Sequence, residues 1–478
     1  MQLSVKRFIR LCLVMAWVAS AALFAAPGAR AEATNGGLVR QGGLVRQDVS
    51  FRGGGGLILH GTVLITPGAP GPRPGIVLIG GSGPGPRVEY RQEAEAFARA
   101  GITTLVYDKR TVGYSRTHLD FGLLADDALA GVRLLRDRKG VDPHHVGLWG
   151  FSEGGWVAPL AAARTSDVAF LITIAGSGHF PLRTQAWNLT THLKHRGVSG
   201  SFTGVVAGPA VQLVGSTGLF PEADYDPRPA LKRLHRTPVL ALWGEHDTQV
   251  PPRESAQIFR HALDEAGNKH SVIRFVPGAA HNGHRTTDGF DRIGGPHFHG
   301  KPLGELAPGY AHTMTSWVRA VAAGHPPTSS TAPAPSQATS SIPVPGHTWS
   351  TWLTPALLLI GFAAYPLSAV LRRGPAVRAL RWLSGLGLFT VAGTVLCPLA
   401  VFVLGDAAAG PVMWGRPVAW LVVQLCALAV LVSAGVALVG VLRRRRAGGS
   451  AAWLRLAPVA LATAGFVPWA VWWGALRP

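Results

Sequence analysis

The 478-residue chain predicts an α/β fold with a mostly parallel central sheet, followed by an all-α membrane region of four helices. Three observations predict it. Short apolar runs alternate with stretches of mixed apolar and charged residues from Val49 to Ala322, a serine stands between glycines directly after one of those runs, and four long apolar segments follow residue 348. Strands that are apolar throughout belong to a sheet covered on both faces, and the mixed stretches between them supply the covering helices.

At the amino end, Lys6, Arg7 and Arg10 precede the apolar run Leu11 to Ala26, and Ala29-Arg30-Ala31 places small residues where a peptidase would cut. Residues 1–31 therefore read as a secretory signal peptide, with an uncleaved anchor as the alternative. Cys12 precedes most of the apolar run and is no lipidation site. Residues 32–48 contain the tandem copy Gly36-Gly37-Leu38-Val39-Arg40-Gln41 and Gly42-Gly43-Leu44-Val45-Arg46-Gln47, too short for a repeat fold and read as a flexible lead-in.

Residues 49–322 form the α/β domain. Strands are predicted at Leu57 to Ile65, Ile76 to Ile79, Ile102 to Tyr107, Val146 to Trp149, Ala169 to Ile174, Val239 to Trp243 and Ser271 to Val276. Helices are predicted at Val88 to Ala100, Leu123 to Arg138, Gly154 to Arg164, Arg253 to Ala266 and Tyr310 to Val321. Residues 178–237 interrupt the alternation, helical at Leu182 to His195 and looser at Gly200 to Leu219. They read as a lid insertion or as a structural excursion. Residues 323–348, rich in proline, serine and threonine, read as an extended tether.

Four stretches then suffice to cross a bilayer: Trp349 to Leu371, Trp382 to Leu404, Val418 to Leu442 and Trp453 to Trp473. Arg372, Arg373, Arg378 and Arg381 lie between the first two, and Arg443 to Arg446 and Arg455 lie around the join of the last two. The loop between the second and third holds only Asp406 and Arg416, so the basic loops face the cytoplasm and the α/β domain lies outside. Gln424 is the only strongly polar amide in the spans, and no acidic, basic or histidine side chain sits mid-span, a pattern of anchorage more than of ion conduction.

The chemistry centres on Gly150-Phe151-Ser152-Glu153-Gly154-Gly155, which follows the strand Val146 to Trp149. Small residues on either side let the backbone make a sharp strand-to-helix turn that exposes the serine hydroxyl. Asp247 and His281 each fall just past a predicted strand, where reacting residues of parallel sheets collect. A serine hydroxyl needs a base to take its proton, and His281 is the candidate, oriented by Asp247. The backbone N–H groups of Glu153 and of Gly81 or Ser82 are candidate oxyanion donors. Glu245 remains a rival for the acid and His284 for the base.

A net charge of +20 raises nucleic acid as a partner, but the basic residues flank apolar segments or lie scattered, with no aromatic-interleaved stripe, so no nucleic-acid binding is expected. Cys12, Cys397 and Cys426 all lie outside the α/β domain, which leaves it without a disulfide or a cysteine metal site. His284, His297 and His299 near Asp288 and Asp291 raise zinc, but such loops are more often solvated polar residues; no metal and no cofactor is expected.

The elbow around Ser152, the acid loop Trp243-Gly244-Glu245-His246-Asp247 and the histidine loop Pro277-Gly278-Ala279-Ala280-His281 together resemble the α/β-hydrolase superfamily, in particular its esterase and dienelactone-hydrolase-like branches. The order serine, aspartate, histidine is the one that superfamily uses. Gly80-Gly81-Ser82-Gly83-Pro84-Gly85 resembles its oxyanion loop, and Tyr107-Asp108-Lys109-Arg110-Thr111-Val112-Gly113-Tyr114-Ser115 resembles a further segment, with Thr111 in place of a glycine. The resemblance covers Val49 to Ala322. It implies a serine hydrolase with Ser152, Asp247 and His281 as triad, cleaving small-molecule carboxylic or thiol esters; the signal peptide and the basic loops would place it on the outer face of a cell membrane. A peptidase, or a catalytically silent binding ectodomain, is the alternative. The four spans have no counterpart in the resemblance.

Overall fold

The computed structural model describes residues 39–68, 71–115, 117–218, 220–298, 301–337, 349–371, 378–446 and 453–478. The signal-peptide reading, the first residues of the tandem copy, His299, Arg372 and Arg373 lie outside them. The chain divides into two compact units. One comprises Met1–Thr184 with Leu219–Ser341, the other Gln185–Gly218 with Ile342–Pro478.

The first unit is built on ten strands: β1 (Val39–Gln41), β2 (Leu44–Arg52), β3 (Ile58–Ile65), β4 (Arg73–Ile79), β5 (Thr103–Tyr107), β6 (Val141–Phe151), β7 (Leu171–Ile174), β8 (Val239–Gly244), β9 (Ser271–Val276) and, after a separate hairpin of β10 (His297–Phe298) with β11 (Lys301–Pro302), β12 (Ser330–Thr331). Their order is β1-β2-β3-β5-β4-β6-β7-β8-β9-β12. From β5 onward every pairing is parallel, while β1, β2 and β3 attach antiparallel. Parallel neighbours require crossovers, and the helices Arg91–Arg99, Phe121–Arg136, Gly154–Ala162 and Pro252–Glu265 provide them. β5, β7 and β8 are buried at every residue, as strands covered on both faces must be. Asp120 caps Phe121–Arg136 by accepting from the Leu123 N–H at 3.0 Å.

All seven strands read from the sequence are present, and two further regions depart from the expectation. The lead-in is structured from Val39: Val39–Gln41 of the first copy fold back on Leu44–Arg46 of the second as a hairpin, with Gln41 opposite Leu44 and Gly42 and Gly43 in the turn at φ of 61° and 78°. Two consecutive residues in the left-handed region are what a tight hairpin turn demands, and glycine supplies them without a Cβ clash. The start of the proline-rich tether is extended but not free, because Ser330 and Thr331 pair in parallel with Val272 and Ile273 on β9. An open strand edge accepts any extended backbone, and small hydroxyl residues reinforce it; the Ser329 hydroxyl accepts from Ser271 N–H at 3.0 Å.

The second unit contains the helices Ser350–Leu371, Arg378–Leu404, Val418–Arg446 and Trp453–Trp472. The first packs on the second and fourth, and the second on the third. Three of them hold stretches long and apolar enough to cross a membrane, namely Ser350–Ser368, Arg378–Leu404 and Val418–Arg443; the last holds the shorter apolar stretch Leu456–Trp472. The insertion of residues 178–237 is divided between the units. Its central part, with the helices Ser201–Val205 and Val211–Thr217, belongs to the helical unit. There Ser199 N–H donates to the Gly415 carbonyl at 2.7 Å and Ser201 N–H to that of Pro478 at 3.0 Å. The Phe202 ring meets Trp420 edge-on at 5.2 Å, and Gln424 donates to the Arg477 carbonyl at 2.6 Å. Gln424 is thereby a structural tie near one end of its helix.

Candidate active site

β6 delivers Ser152 into a turn with φ of 54°, the left-handed region that a non-glycine residue enters only when its surroundings enforce it. The enforcement is steric. A Cβ on Gly150 would lie 2.1 Å from the Gly154 carbonyl oxygen, and one on Gly154 would lie 2.5 Å from that of Ile79. Only glycines let the elbow fold this tightly against β4. The Ser152 N–H is fixed by the Ile174 carbonyl at 2.9 Å, so the turn is anchored to β7 as well.

Asp247 follows β8. Its Oδ1 accepts from the N–H groups of Gln249 at 2.8 Å and Val250 at 2.9 Å, and its side chain is wholly buried. His281 follows β9 in a loop pinned by Ala280 N–H donating to the His284 carbonyl at 2.8 Å and His246 N–H to that of Ala279 at 2.9 Å. The three side chains meet: His281 Nδ1 stands 2.9 Å from Asp247 Oδ2, and Nε2 stands 2.9 Å from Ser152 Oγ. With the carboxylate accepting from Nδ1–H, Nε2 is the lone-pair nitrogen and accepts the Ser152 hydroxyl proton. The arrangement can abstract that proton and hold the resulting imidazolium.

The rivals are committed elsewhere. Glu245 accepts from Gly278 N–H at 3.0 Å, stiffening the histidine loop from outside. His284 is buried, with Nε2 3.1 Å from Glu93 Oε1 and Nδ1 2.7 Å from the Leu303 carbonyl. Burial opposes its charged form, but the hydrogen bond and charge of Glu93 outweigh this and raise its pKa. Among the described residues no cluster of three or more His, Cys, Asp or Glu could hold a metal ion.

One predicted oxyanion donor is corrected. Gly81 N–H donates to the Tyr90 hydroxyl at 2.8 Å inside the protein, and is engaged there. Gly81 remains close to Ser152, since a Cβ on it would lie 3.3 Å from that of the serine. The sequence reading also passed over Lys109, Tyr90 and Tyr114 as functional side chains, although all three hold the loop of residues 80–85. The available signal was a lysine just past an apolar strand, in a domain where buried positions rarely tolerate one. On the insertion side of the sheet, burial followed by the charges of Arg183 and Arg228 pushes His179 down to about 4, keeping it neutral.

Residues 122–293 match the prolyl oligopeptidase family, a stretch running from the helix after β5 to beyond His281. The fold is that of the α/β-hydrolases. Among curated proteins, thiohydrolase apmlB of Arthrinium phaeospermum is 32% identical over 132 residues, 27% of this chain and 42% of that protein. Polyketide transferase ATR5 of Stachybotrys chlorohalonatus is 31% identical over 29% of this chain and 46% of its own length. The chain thus spans less than half of these relatives. Polyketide transferase claH of Penicillium crustosum is 25% identical over 45% of this chain and 84% of its own. Among solved structures, a dienelactone hydrolase from Anabaena variabilis superposes with a TM-score of 0.36 at 18% identity, over 59% of this chain and 99% of that one.

Proposed function

We propose that the protein is a membrane-tethered serine hydrolase that cleaves carboxylic or thiol esters on the outer face of a cell membrane through an acyl-enzyme. The observation that carries the reading is the line Asp247–His281–Ser152, with both contacts at 2.9 Å. Ser152 attacks the acyl carbon as its proton passes to His281; the tetrahedral oxyanion is held by backbone N–H groups at the elbow; the leaving alcohol or thiol takes the proton from His281. Water then repeats the sequence on the acyl-enzyme. The names of the similar proteins, thiohydrolases and polyketide transferases, favour acyl esters and thioesters as substrates.

The test uses the full chain in detergent micelles. A fluorophosphonate should label the wild type and fail on Ser152→Ala, with ester turnover lost by a factor on the order of 10⁴ or more. A folded wild type that neither labels nor turns over any acyl ester sinks the proposal. The prolyl oligopeptidase match favours a second reading, a peptidase. Faster release from amino-acyl amides than from matched esters would decide for it.

Membrane placement rests on the basic residues Arg378, Arg381 and Arg443 at one end of the helices. The ties from Ser199 to Gly415 and from Ser201 to Pro478 support it independently. A segment that precedes the helices in the chain meets both the loop after the second helix and the residue after the fourth, which four crossings bring to one side. A cysteine at exposed Trp414 should react with a membrane-impermeant maleimide on intact cells, and one at Arg443 only after permeabilisation. The reverse pattern overturns the topology.

A further inference from the structure

The triad does not use Lys109, yet this side chain is only 6% exposed. A buried ammonium persists where several acceptors replace its water. Lys109 Nζ lies 2.6 Å from Glu153 Oε1, donates to the Gly81 carbonyl oxygen and stands 4.8 Å from the centre of the Tyr114 ring. The Tyr114 hydroxyl lies 3.1 Å from both Glu153 carboxylate oxygens and accepts from Gly83 N–H at 2.8 Å. Tyr90 takes Gly81 N–H. Three backbone groups of the glycine-rich loop are thus gripped by three side chains, and two of those side chains converge on the residue that follows the nucleophile.

The geometry of one peptide gives this network a consequence. In a trans peptide the carbonyl and the N–H of the next residue lie in one plane and point in opposite directions, and no cis peptide occurs among the described residues. Lys109 draws the Gly81 carbonyl inward, so Ser82 N–H is turned away from Lys109. The carboxylate of Glu153, the residue directly after Ser152, holds the same ammonium. The two amides are therefore spaced by a single side chain.

We propose that Lys109 is the positioning residue of the oxyanion site: by holding the Gly81 carbonyl and the Glu153 carboxylate together, it presents Ser82 N–H alongside Glu153 N–H to the acyl oxygen. Lys109 itself touches no substrate. The inference rests on the acyl-transfer reading above. It assigns the second donor to Ser82 and gives the segment Tyr107 to Ser115 a function: Lys109 and Tyr114 hold the loop and the elbow, while Arg110 pairs with Asp127.

Donors aimed at a developing oxyanion act on the transition state, so their misplacement lowers kcat and transition-state-analogue affinity together, and leaves KM alone. The full chain in detergent micelles is assayed with p-nitrophenyl butyrate and with an aryl trifluoromethyl ketone, whose hydrate mimics the tetrahedral adduct. Lys109→Met should lower kcat roughly 10- to 100-fold, less than outright loss of a donor at the upper end of its range, with KM within about twofold and ketone affinity reduced in parallel. Because that variant leaves the buried Glu153 with the Tyr114 hydroxyl but no counter-charge, the double variant Lys109→Met with Glu153→Gln, which has neither charge, is measured beside it and should show the same parallel loss. A rise in KM at unchanged kcat, a kcat loss without a matching loss of ketone affinity, or wild-type kinetics in the folded double variant overturns the proposal. If the wild type labels with fluorophosphonate and turns over, these outcomes sink Lys109 alone; if it does neither, both readings fall together.

Discussion

The two units use apolar residues in opposite ways. In the α/β unit the large apolar side chains turn inward, and few, such as Ile58, Val88 and Val112, are left exposed. In the helical unit Leu357, Ile360, Leu396, Leu425, Val432 and Leu461 face outward along the helices. Charge follows the same division. The first unit buries Lys109 with Glu153, Arg110 with Asp127, and His284 with Glu93, whereas none of the buried side chains after Trp349, among the described residues, carries a charge. A water-facing fold can bury ions where a network satisfies them. Helices solvated by hydrocarbon gain nothing from doing so, and need only present an apolar surface.

The largest effect that could break this contrast comes from cutting the chain after Gln337, beyond the edge strand β12. The α/β unit's sheet would be intact, but the inserted residues 185–218 would lose the helices they pack with, leaving Phe202 without Trp420 and Ser201 without Pro478. The fragment should remain monodisperse only in detergent, as light scattering would reveal. A monomer in plain buffer would mean that the insertion stands without the helical unit.

Next in size is a paired substitution. Arg110 donates to both Asp127 oxygens at 2.6 Å in a buried site, and Arg110→Met strands that carboxylate, at a cost of about 3–5 kcal/mol in denaturant unfolding. In the helical unit, buried Thr390 Oγ1 has no hydrogen-bond partner, so Thr390→Val should be neutral or stabilise by about 1 kcal/mol. Equal costs at the two sites would erase the distinction between the units.

Smaller still is the pH dependence of the melting temperature of the α/β unit, where two histidines act with opposite sign. His284 is raised in the folded state, so its contribution is full below the ordinary imidazole value of about 6.5 and is lost as pH rises through the folded value. His179 is held down at about 4, so its contribution is present above about 6.5 and is lost as pH falls toward that value. His284→Gln should flatten the alkaline side of the profile and His179→Gln the acid side. If neither slope changes, the buried environments do not govern these protons.

Much of the fold was readable because apolar runs and their punctuation dominate the sequence. Val146 to Trp149, Val239 to Trp243 and Ser271 to Val276 announce the strands that carry the site, and each candidate side chain lies just past one of them. What escaped depends on partners remote in the chain. Ser330 and Thr331 have no strand-like pattern of their own and pair only because β9 offers an edge. Gly81 resembles an oxyanion residue, but the Tyr90 hydroxyl occupies its N–H. The allegiance of residues 185–218 to helices more than a hundred residues downstream has no local signature, since a buried Phe202 looks the same whichever unit covers it.

The hairpin at Gly42-Gly43 bears on how this sheet tolerates change. A copied hexapeptide that begins with two glycines brings its own reversal, so the duplicate lies back along the original instead of displacing it. Editing the number of copies alters only the rim of the sheet and leaves the spacing from β2 to Ser152 untouched. The same rim then becomes the place where removal of one copy bares unpaired backbone, turning a small deletion into a route to self-association.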